Sequence, residues 1–236
     1  MSPEAQDILA HLRVVAAERQ HRAASADLSH RVLALKGYQQ RRFSLTYADL
    51  LVTPRYSGVA RFFLDELYGP HDFTERDAQL ARVVPTLVRL FPSQIVGAVR
   101  GLTELHALSE QLDTGTAMQL HRADIDAAVY VAAWQASGSV AQRENQIALT
   151  LALGQTLDRL TRNPMLRQSL RLMRGPAKAA GLSRLQGFLE MGFDTFKAMD
   201  GAQEFLAIVA QRERALAAAL FDPDVRADRL VSVQLP

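Results

Sequence analysis

The fold class is decided by the stretch SVAQRENQIALTLALGQTLDRLTRNP, residues 139–164. Ser139 is a residue type that caps the N-terminus of a helix, and the chain after it predicts a long helix from Val140 to about Thr161. Asn163 followed by Pro164 predicts the start of another helix, because asparagine caps well and proline fits the first helical position. One helix therefore ends and the next begins within a few residues, which is typical of an all-α fold.

Similar signals divide the rest of the chain. Helix starts or stops are expected at Ser25-Ala26 (where one long helix or two fit the pattern), Thr53-Pro54, Gly69-Pro70, Thr74, Ser93, Gly175-Pro176, Ser183 and Asp200-Gly201. Pro85 lies inside an apolar helical pattern and predicts a kink or a break. A further helix is expected from Ala123 to Ala136. We therefore predict an all-α protein, with a single compact multi-helix domain of about eight to ten helices over residues 1–222 and a C-terminal tail at 223–236.

The composition excludes several classes of protein. The 236 residues include no cysteine, so disulfide frameworks, zinc ribbons and cysteine nucleophiles are excluded. Of the 27 basic residues 24 are arginine, yet the formal net charge is only +2. The pI of about 9.1 is therefore no sign of a large positive field, and we expect no sequence-specific nucleic-acid partner. No apolar run reaches the roughly 20 residues that span a bilayer, and the N-terminus lacks a signal-peptide pattern, so we expect a soluble, cytoplasmic protein.

Catalytic motifs with a fixed spacing do not occur in the sequence. The six histidines form no His-x-x-x-His pair, and there is neither a Gly-x-Ser-x-Gly elbow nor a glycine loop for phosphates or dinucleotides. A metal-dependent helical oxidoreductase would have to use Glu104, His106, Glu110 and Glu190, of which only His106 and Glu110 share a helix face at i, i+4. We predict no metal site and no catalytic residues, and metal-dependent catalysis stays an alternative.

A haem site requires fewer residues than such a metal site, because one axial histidine in an apolar helical pocket is enough. His106 lies beside the apolar stripe of its helix, one turn after Leu102, and His121 follows a shorter, mixed segment. His106, His121 and Glu110 are therefore the candidate residues for binding haem or another apolar ligand in a globin-like pocket. No cofactor is predicted, and haem stays an alternative.

Two arginine-rich segments are candidates for contact with an anionic partner. The segment 165–178 carries Arg167, Arg171, Arg174 and Lys178 at spacings of three and four residues. With the apolar residues between them, they predict a basic amphipathic helix that suits an acidic partner or peripheral contact with an anionic membrane. The second segment, from Arg41 to Arg61 and including Arg42, is expected to form surface ion pairs.

Three pieces of sequence carry a family resemblance: FFLDELYGP at 62–70, ELHALSEQLD at 104–113 and MRGPA at 173–177. Together they resemble a family of uncharacterised all-helical bacterial proteins with an FFLxELYGPxDF-type motif, and this resemblance implies no activity and no site residues. From the residues alone, Gly69-Pro70 ends a helix, while Asp72, Arg76 and Asp77 are expected to hold the next turn by local bonds.

The leading functional hypothesis is a non-catalytic module that binds a protein partner or forms a homodimer. It depends on the well-formed helix signals and on the lack of any catalytic pattern. The alternatives are the haem or apolar-ligand binder and the metal-dependent enzyme described above.

Overall fold

The computed structural model describes residues 1–67, 72–222 and 235–236, and within these ranges the chain is all-α, as predicted. Twelve α-helices and one π-helical turn are formed by the described residues: α1 (Pro3–Ala23), α2 (Ala26–Thr46), α3 (Ala48–Val52), α4 (Pro54–Phe62), the π-helical turn (Phe63–Leu67), α5 (Thr74–Leu90), α6 (Ser93–Gln119), α7 (Ala127–Ser137), α8 (Val140–Thr161), α9 (Pro164–Leu172), α10 (Arg174–Ala179), α11 (Ser183–Met199) and α12 (Gln203–Phe221). The number exceeds the expected eight to ten because short helices such as α3 and α10 stand apart from longer neighbours.

The clearest sequence signals are confirmed. Ser25 separates α1 from α2, and its hydroxyl accepts a hydrogen bond from the Leu28 backbone N–H at 3.2 Å. Ser139 and Asn163 cap α8 and α9 in the same way. The turn at Asp200-Gly201 also lies where it was expected, with φ angles of 53° and 106° that end α11.

Three other helix starts lie where they were expected, but the residue named is the first helical residue and not the cap. Thr74, Ser93 and Ser183 are the first helical residues of α5, α6 and α11, and the residue before each makes no side-chain capping bond. At Thr74 the orphan backbone N–H is instead satisfied by the carboxylate of Asp72, at 2.9 Å. The helix expected from Ala123 begins only at Ala127, because the carboxylate of Asp126 accepts from the third helical N–H and fixes the start there.

Two prolines lie within helices rather than between them. Helix α5 continues through Pro85 to Leu90, so of the expected kink or break the break does not occur. The buried residues Leu80 and Val84 pack against α1 and outweigh the lost hydrogen bond. The chain breaks at Met173 rather than at Gly175-Pro176, and Pro176 lies in the first turn of α10, where its missing N–H would have no partner. The predicted amphipathic helix at 165–178 is therefore two short helices.

The helices pack around α6, which with 27 residues is the longest described and contacts α1, α2, α5, α7 and α8. One apolar cluster joins α2, α7 and α12 around Tyr38, Tyr130 and Trp134. A second joins the region after α2 to α4, α11 and α12 around Phe63 and Phe205, and a third lies between α1 and α5. The first two clusters meet at a polar cavity, which is the subject of the next section.

Some predictions fall on residues that are not described. The helix stop at Gly69-Pro70 and most of the tail, 223–234, lie outside the described residues, so the division at 222 stays a prediction. At the end of the tail, Leu235 is buried against the first cluster and the Tyr38 hydroxyl donates to the Pro236 carbonyl at 3.3 Å. Within the described ranges, no helix combines the length and apolar character that crossing a bilayer requires.

Candidate functional site

A cavity of about 80 Å³ lies between α2, α6, α7, α8 and α12. Its walls are unusually polar for the interior of a helical bundle, with these side chains: Lys36, Gln39, Arg42, Tyr47, His106, Ser109, Glu110, Asp113, Tyr130, Trp134, Arg143, Gln146 and Glu213. Buried charges are rare unless they are paired or bind something, so this cavity is the strongest candidate for a functional site in the described parts of the chain.

Helical periodicity brings these side chains together. On α2 the wall residues Lys36, Gln39 and Phe43 follow one another at spacings of three and four. On α6 and α8 the same spacing aligns further wall residues: His106, Glu110 and Asp113 on the one, Arg143, Gln146 and Thr150 on the other. Residues three or four apart share a helix face, so each helix presents one largely polar stripe to the cavity, which on α2 ends at the apolar Phe43.

Glu110 of α6 lies at the centre of the densest ion-pair network. Its Oε1 accepts from Lys36 Nζ at 2.7 Å, and its Oε2 accepts from Arg22 Nη2. Burial alone would raise the pKa of the Glu110 carboxyl, but the charges and hydrogen bonds of Lys36 and Arg22 outweigh it and lower the pKa to about 2. Glu110 is therefore an anion at every pH near neutrality, with both oxygens occupied.

Asp113, one turn further along α6, has a different balance. Its Oδ1 accepts from Gln39 Nε2 at 3.1 Å, and its Oδ2 lies 3.8 Å from Lys36 Nζ. Burial raises the pKa of Asp113 above its ordinary value, because Lys36 is shared with Glu110 and compensates only in part. The two carboxyl groups of one stripe thus have pKa values that move in opposite directions.

A third buried pair closes the opposite side of the cavity. Arg42 Nη1 donates to Glu213 Oε1 at 2.5 Å, and the Tyr47 hydroxyl donates to the same oxygen at 2.8 Å. Burial lowers the pKa of Arg42, but Glu213 outweighs burial and raises it above the ordinary value. Arg42 is only 7% exposed, so the expectation of surface ion pairs is wrong at this residue.

Arg143 on α8 lies against the single tryptophan of the chain. Its guanidinium carbon is 3.6 Å from the ring centroid of Trp134, a close cation–π contact. It donates to the Thr116 hydroxyl at 3.1 Å and to the Gln146 side-chain oxygen at 3.2 Å. These contacts hold a positive charge at the cavity wall beside an aromatic face.

Three buried polar atoms of the wall have no hydrogen-bond partner among the described residues. They are the Tyr130 hydroxyl, the Trp134 Nε1 and the Arg42 Nε. A buried polar group without a partner costs roughly 1–3 kcal/mol, and natural proteins rarely retain several in one place. Water or a small polar ligand in the cavity would satisfy these atoms.

A further polar cluster forms around Asp77 and includes His106, which also lines the cavity. His106 Nε2 lies 2.9 Å from Asp77 Oδ2, and Arg19 donates to the same oxygen at 2.7 Å. Arg76 contacts the other oxygen at 3.3 Å and donates to the Glu66 carbonyl at 3.1 Å. Burial would raise the pKa of Asp77, but these partners lower it to about 2.

The structure places the predicted site residues apart from one another. His106 and Glu110 both line the cavity but bind different partners, and His121 is exposed at the bend after α6. Glu190, on α11, accepts a bidentate pair of hydrogen bonds from Arg174. Nowhere in the described ranges do three or more acidic or histidine side chains converge so that they could hold a metal ion.

The basic segment at 165–178 is also rearranged. Arg167 donates to Asp194 at 2.9 Å, and Arg174 donates to Glu190 at 2.6 Å, so two of its four cations face acids of α11. Arg171 and Lys178 are exposed. The continuous basic face that the spacing predicted is thus divided between two helices and partly neutralised.

Sequence patterns do not identify most of the cavity wall or its neighbours. They predict a local turn role for Asp77 and surface ion pairs for Arg42. They do not single out the wall residues Lys36, Arg143 and Glu213, or Arg22 beside the wall. The position of Arg42 does indicate burial. It lies seven residues after the apolar Leu35 and therefore near the stripe of α2 that faces the core. The partners could not be paired, because Arg42 and Glu213 are 171 residues apart.

Fold and site together define an all-α domain with a buried polar cavity. The family model of a domain of unknown function, DUF8198, matches residues 18–227, so the chain belongs to this family. The search of curated proteins and the search of solved structures both returned no significant match. The match agrees with the expected uncharacterised family, whereas its bacterial origin and the cytoplasmic location stay predictions.

Proposed function

We propose that this domain is a binding module that holds a small polar molecule in the central cavity. The observation that carries this proposal is the set of three unpartnered buried atoms on Arg42, Tyr130 and Trp134, residues that all line one cavity of about 80 Å³. A partner-free cavity with such walls would be costly to fold, whereas a polar ligand would satisfy these atoms.

The same cavity does not favour the expected apolar ligand or haem. An engineered apolar cavity of about 150 Å³ holds benzene, so about 80 Å³ is far too small for a porphyrin ring. The Nε2 of His106 is also occupied by Asp77, and His121 is exposed. The proposal therefore retains the expected alternative of ligand binding, but with a small polar ligand instead of haem or an apolar one.

Trp134 makes the proposal straightforward to test. It is the only tryptophan of the chain and lines the cavity, so its fluorescence reports on the site directly. We expect at least one compound in a panel of small anionic, neutral and cationic molecules to change this fluorescence saturably and to raise the melting temperature. A panel without any such compound would refute the proposal.

A pair of variants separates the cavity from the surface. Ala217 lines the cavity on α12, so Ala217→Leu fills it and should abolish the response of Trp134. The neighbouring Ala218 is exposed and not part of this wall, so Ala218→Leu should bind like the parent protein. Equal binding by both variants would show that the ligand sits elsewhere.

Self-association is a second candidate, favoured by one specific observation. Helix α9 has no buried residue, and its apolar residues Met165 and Leu172 are 74% and 71% exposed; α11, which packs against α9, also exposes Met191. An exposed apolar patch of this kind is typical of contact sites. A homodimer through α9 predicts twice the monomer mass by light scattering and a monomer after Leu172→Asp, whereas a monomeric parent protein excludes it.

A further inference from the structure

The chemistry of the cavity wall narrows the class of ligand, on the basis of the proposed function. We infer that the cavity takes a small oxyanion, a carboxylate or bicarbonate of about three or four non-hydrogen atoms. The inference rests on three separate properties of the wall: which hydrogen-bonding groups are left over, what charge one of them carries, and how much room there is.

The groups left over are donors. Trp134 Nε1 and Arg42 Nε are N–H groups that can only donate a hydrogen bond, and the Tyr130 hydroxyl can also donate one. Several acceptors of the wall are already in use, since both oxygens of Glu110 accept from cations and Glu213 Oε1 accepts from Arg42 and a tyrosine. A ligand that satisfies the leftover donors must bring acceptor oxygens.

The charge carried by one of these donors favours an anion. The ionised side chains of the wall are the cations Lys36, Arg42 and Arg143 and the carboxylates Glu110, Asp113 and Glu213, while Arg22 pairs with Glu110 from outside the wall. The unpartnered Nε of Arg42 belongs to a guanidinium group. An anion that accepts from it would form a charge-assisted hydrogen bond, whereas a cation would be repelled by this group.

The room available sets the size of the ligand. A cavity of about 150 Å³ holds benzene with its six non-hydrogen atoms, so about 80 Å³ in the same measure holds three or four. Formate has three such atoms, and acetate and bicarbonate have four. The side chains of Lys36 and Glu213 are 17% and 22% exposed, so the cavity reaches solvent on the side of α2 and α12.

The test compares small probes of different charge, among which acetate and acetamide are matched in size. In a chloride-free buffer, formate, acetate, acetamide and methylammonium are each titrated while Trp134 fluorescence and the melting temperature are measured. We expect saturable binding of formate and acetate and at least about tenfold weaker binding of acetamide, because a charged acceptor binds buried donors more strongly than a neutral one.

The contrary outcomes are distinguishable from failure of the proposed function. If acetamide or methylammonium binds as well as acetate, the cavity binds small molecules but the oxyanion class is wrong. If the broader panel yields a ligand while neither formate nor acetate binds, the oxyanion class is also wrong. If nothing in either experiment binds, the proposed function fails together with this inference.

Two tyrosines provide a matched pair of variants. Tyr130→Phe removes an unpartnered hydroxyl from the cavity and should weaken acetate binding at least about tenfold. Tyr38 stacks on Tyr130 with ring centroids 4.7 Å apart, but its hydroxyl already donates to Pro236, so Tyr38→Phe should bind acetate like the parent protein. Unchanged acetate affinity in a folded Tyr130→Phe protein would overturn the inference.

Discussion

The polar cavity and the surface formed by α9, α10 and α11 use the same residue types in opposite environments. At the cavity, Glu110 is 4% exposed and is held between two cations. At the surface, Glu190 pairs with Arg174, whose side chain is 60% exposed. Solvent screens the exposed Glu190 pair but not the buried Glu110 pairs. Similar ion-pair distances therefore correspond to different contributions to the free energy of unfolding. The difference shows that the location of the charges, rather than their number, marks the candidate site.

The largest expected effect comes from breaking the buried network. Glu110→Gln leaves the charges of Arg22 and Lys36 buried without their anion, and we expect it to lower the free energy of unfolding by about 3 kcal/mol. The matched surface change, Glu190→Gln, should lower it by about 1 kcal/mol or less. Urea denaturation of both variants measures the comparison, and equal losses would show that burial does not separate the two regions.

A loss of comparable or slightly smaller size for each group is expected from acid. The folded-state pKa values of Glu110 and Asp77 are about 2, below the unfolded values of roughly 4, so their contribution to stability is present above pH 5. It is lost as the pH falls from about 5 to 2, at an order of 2–3 kcal/mol for each group. Urea midpoints across this range should fall steeply, and Glu110→Gln should flatten the curve. A Glu110→Gln curve parallel to that of the parent protein would contradict the lowered pKa.

The smallest effect is expected at the exposed cations of the surface region. Arg171→Ala with Lys178→Ala removes two solvated charges and should change the free energy of unfolding by no more than about 0.5 kcal/mol. The same double variant sharpens the functional side of the comparison. If anionic vesicles sediment the parent protein at low salt but not this variant, the surface rather than the cavity would be the site of interaction.

Local chemistry explains what could be predicted from the sequence. Ser25, Ser139 and Asn163 cap helices through their own side chains, so the helix starts they mark are readable without knowledge of the fold. Tertiary contacts determine the helix boundaries that local chemistry does not predict. Helix α5 passes through Pro85 because its neighbours are packed against α1.

The site was harder to predict because its pairs are distant in sequence. The basic residues of 165–178 can be recognised from the sequence because they stand close together in the chain. Two of them nevertheless form ion pairs with acids of α11. Lys36 and Glu110, or Arg42 and Glu213, come together only when α2 packs against α6 and α12. Spacing along one helix shows which residues share a face, but not which charge on another helix will meet them.

A crystal structure of the protein in the presence of acetate tests ligand binding in the cavity most directly. We expect a planar, four-atom density in the cavity, with a carboxylate oxygen about 2.7–3.2 Å from the Tyr130 hydroxyl or the Trp134 Nε1. A cavity that contains only water molecules at saturating acetate, with water satisfying these donors, would contradict the assignment of an oxyanion site.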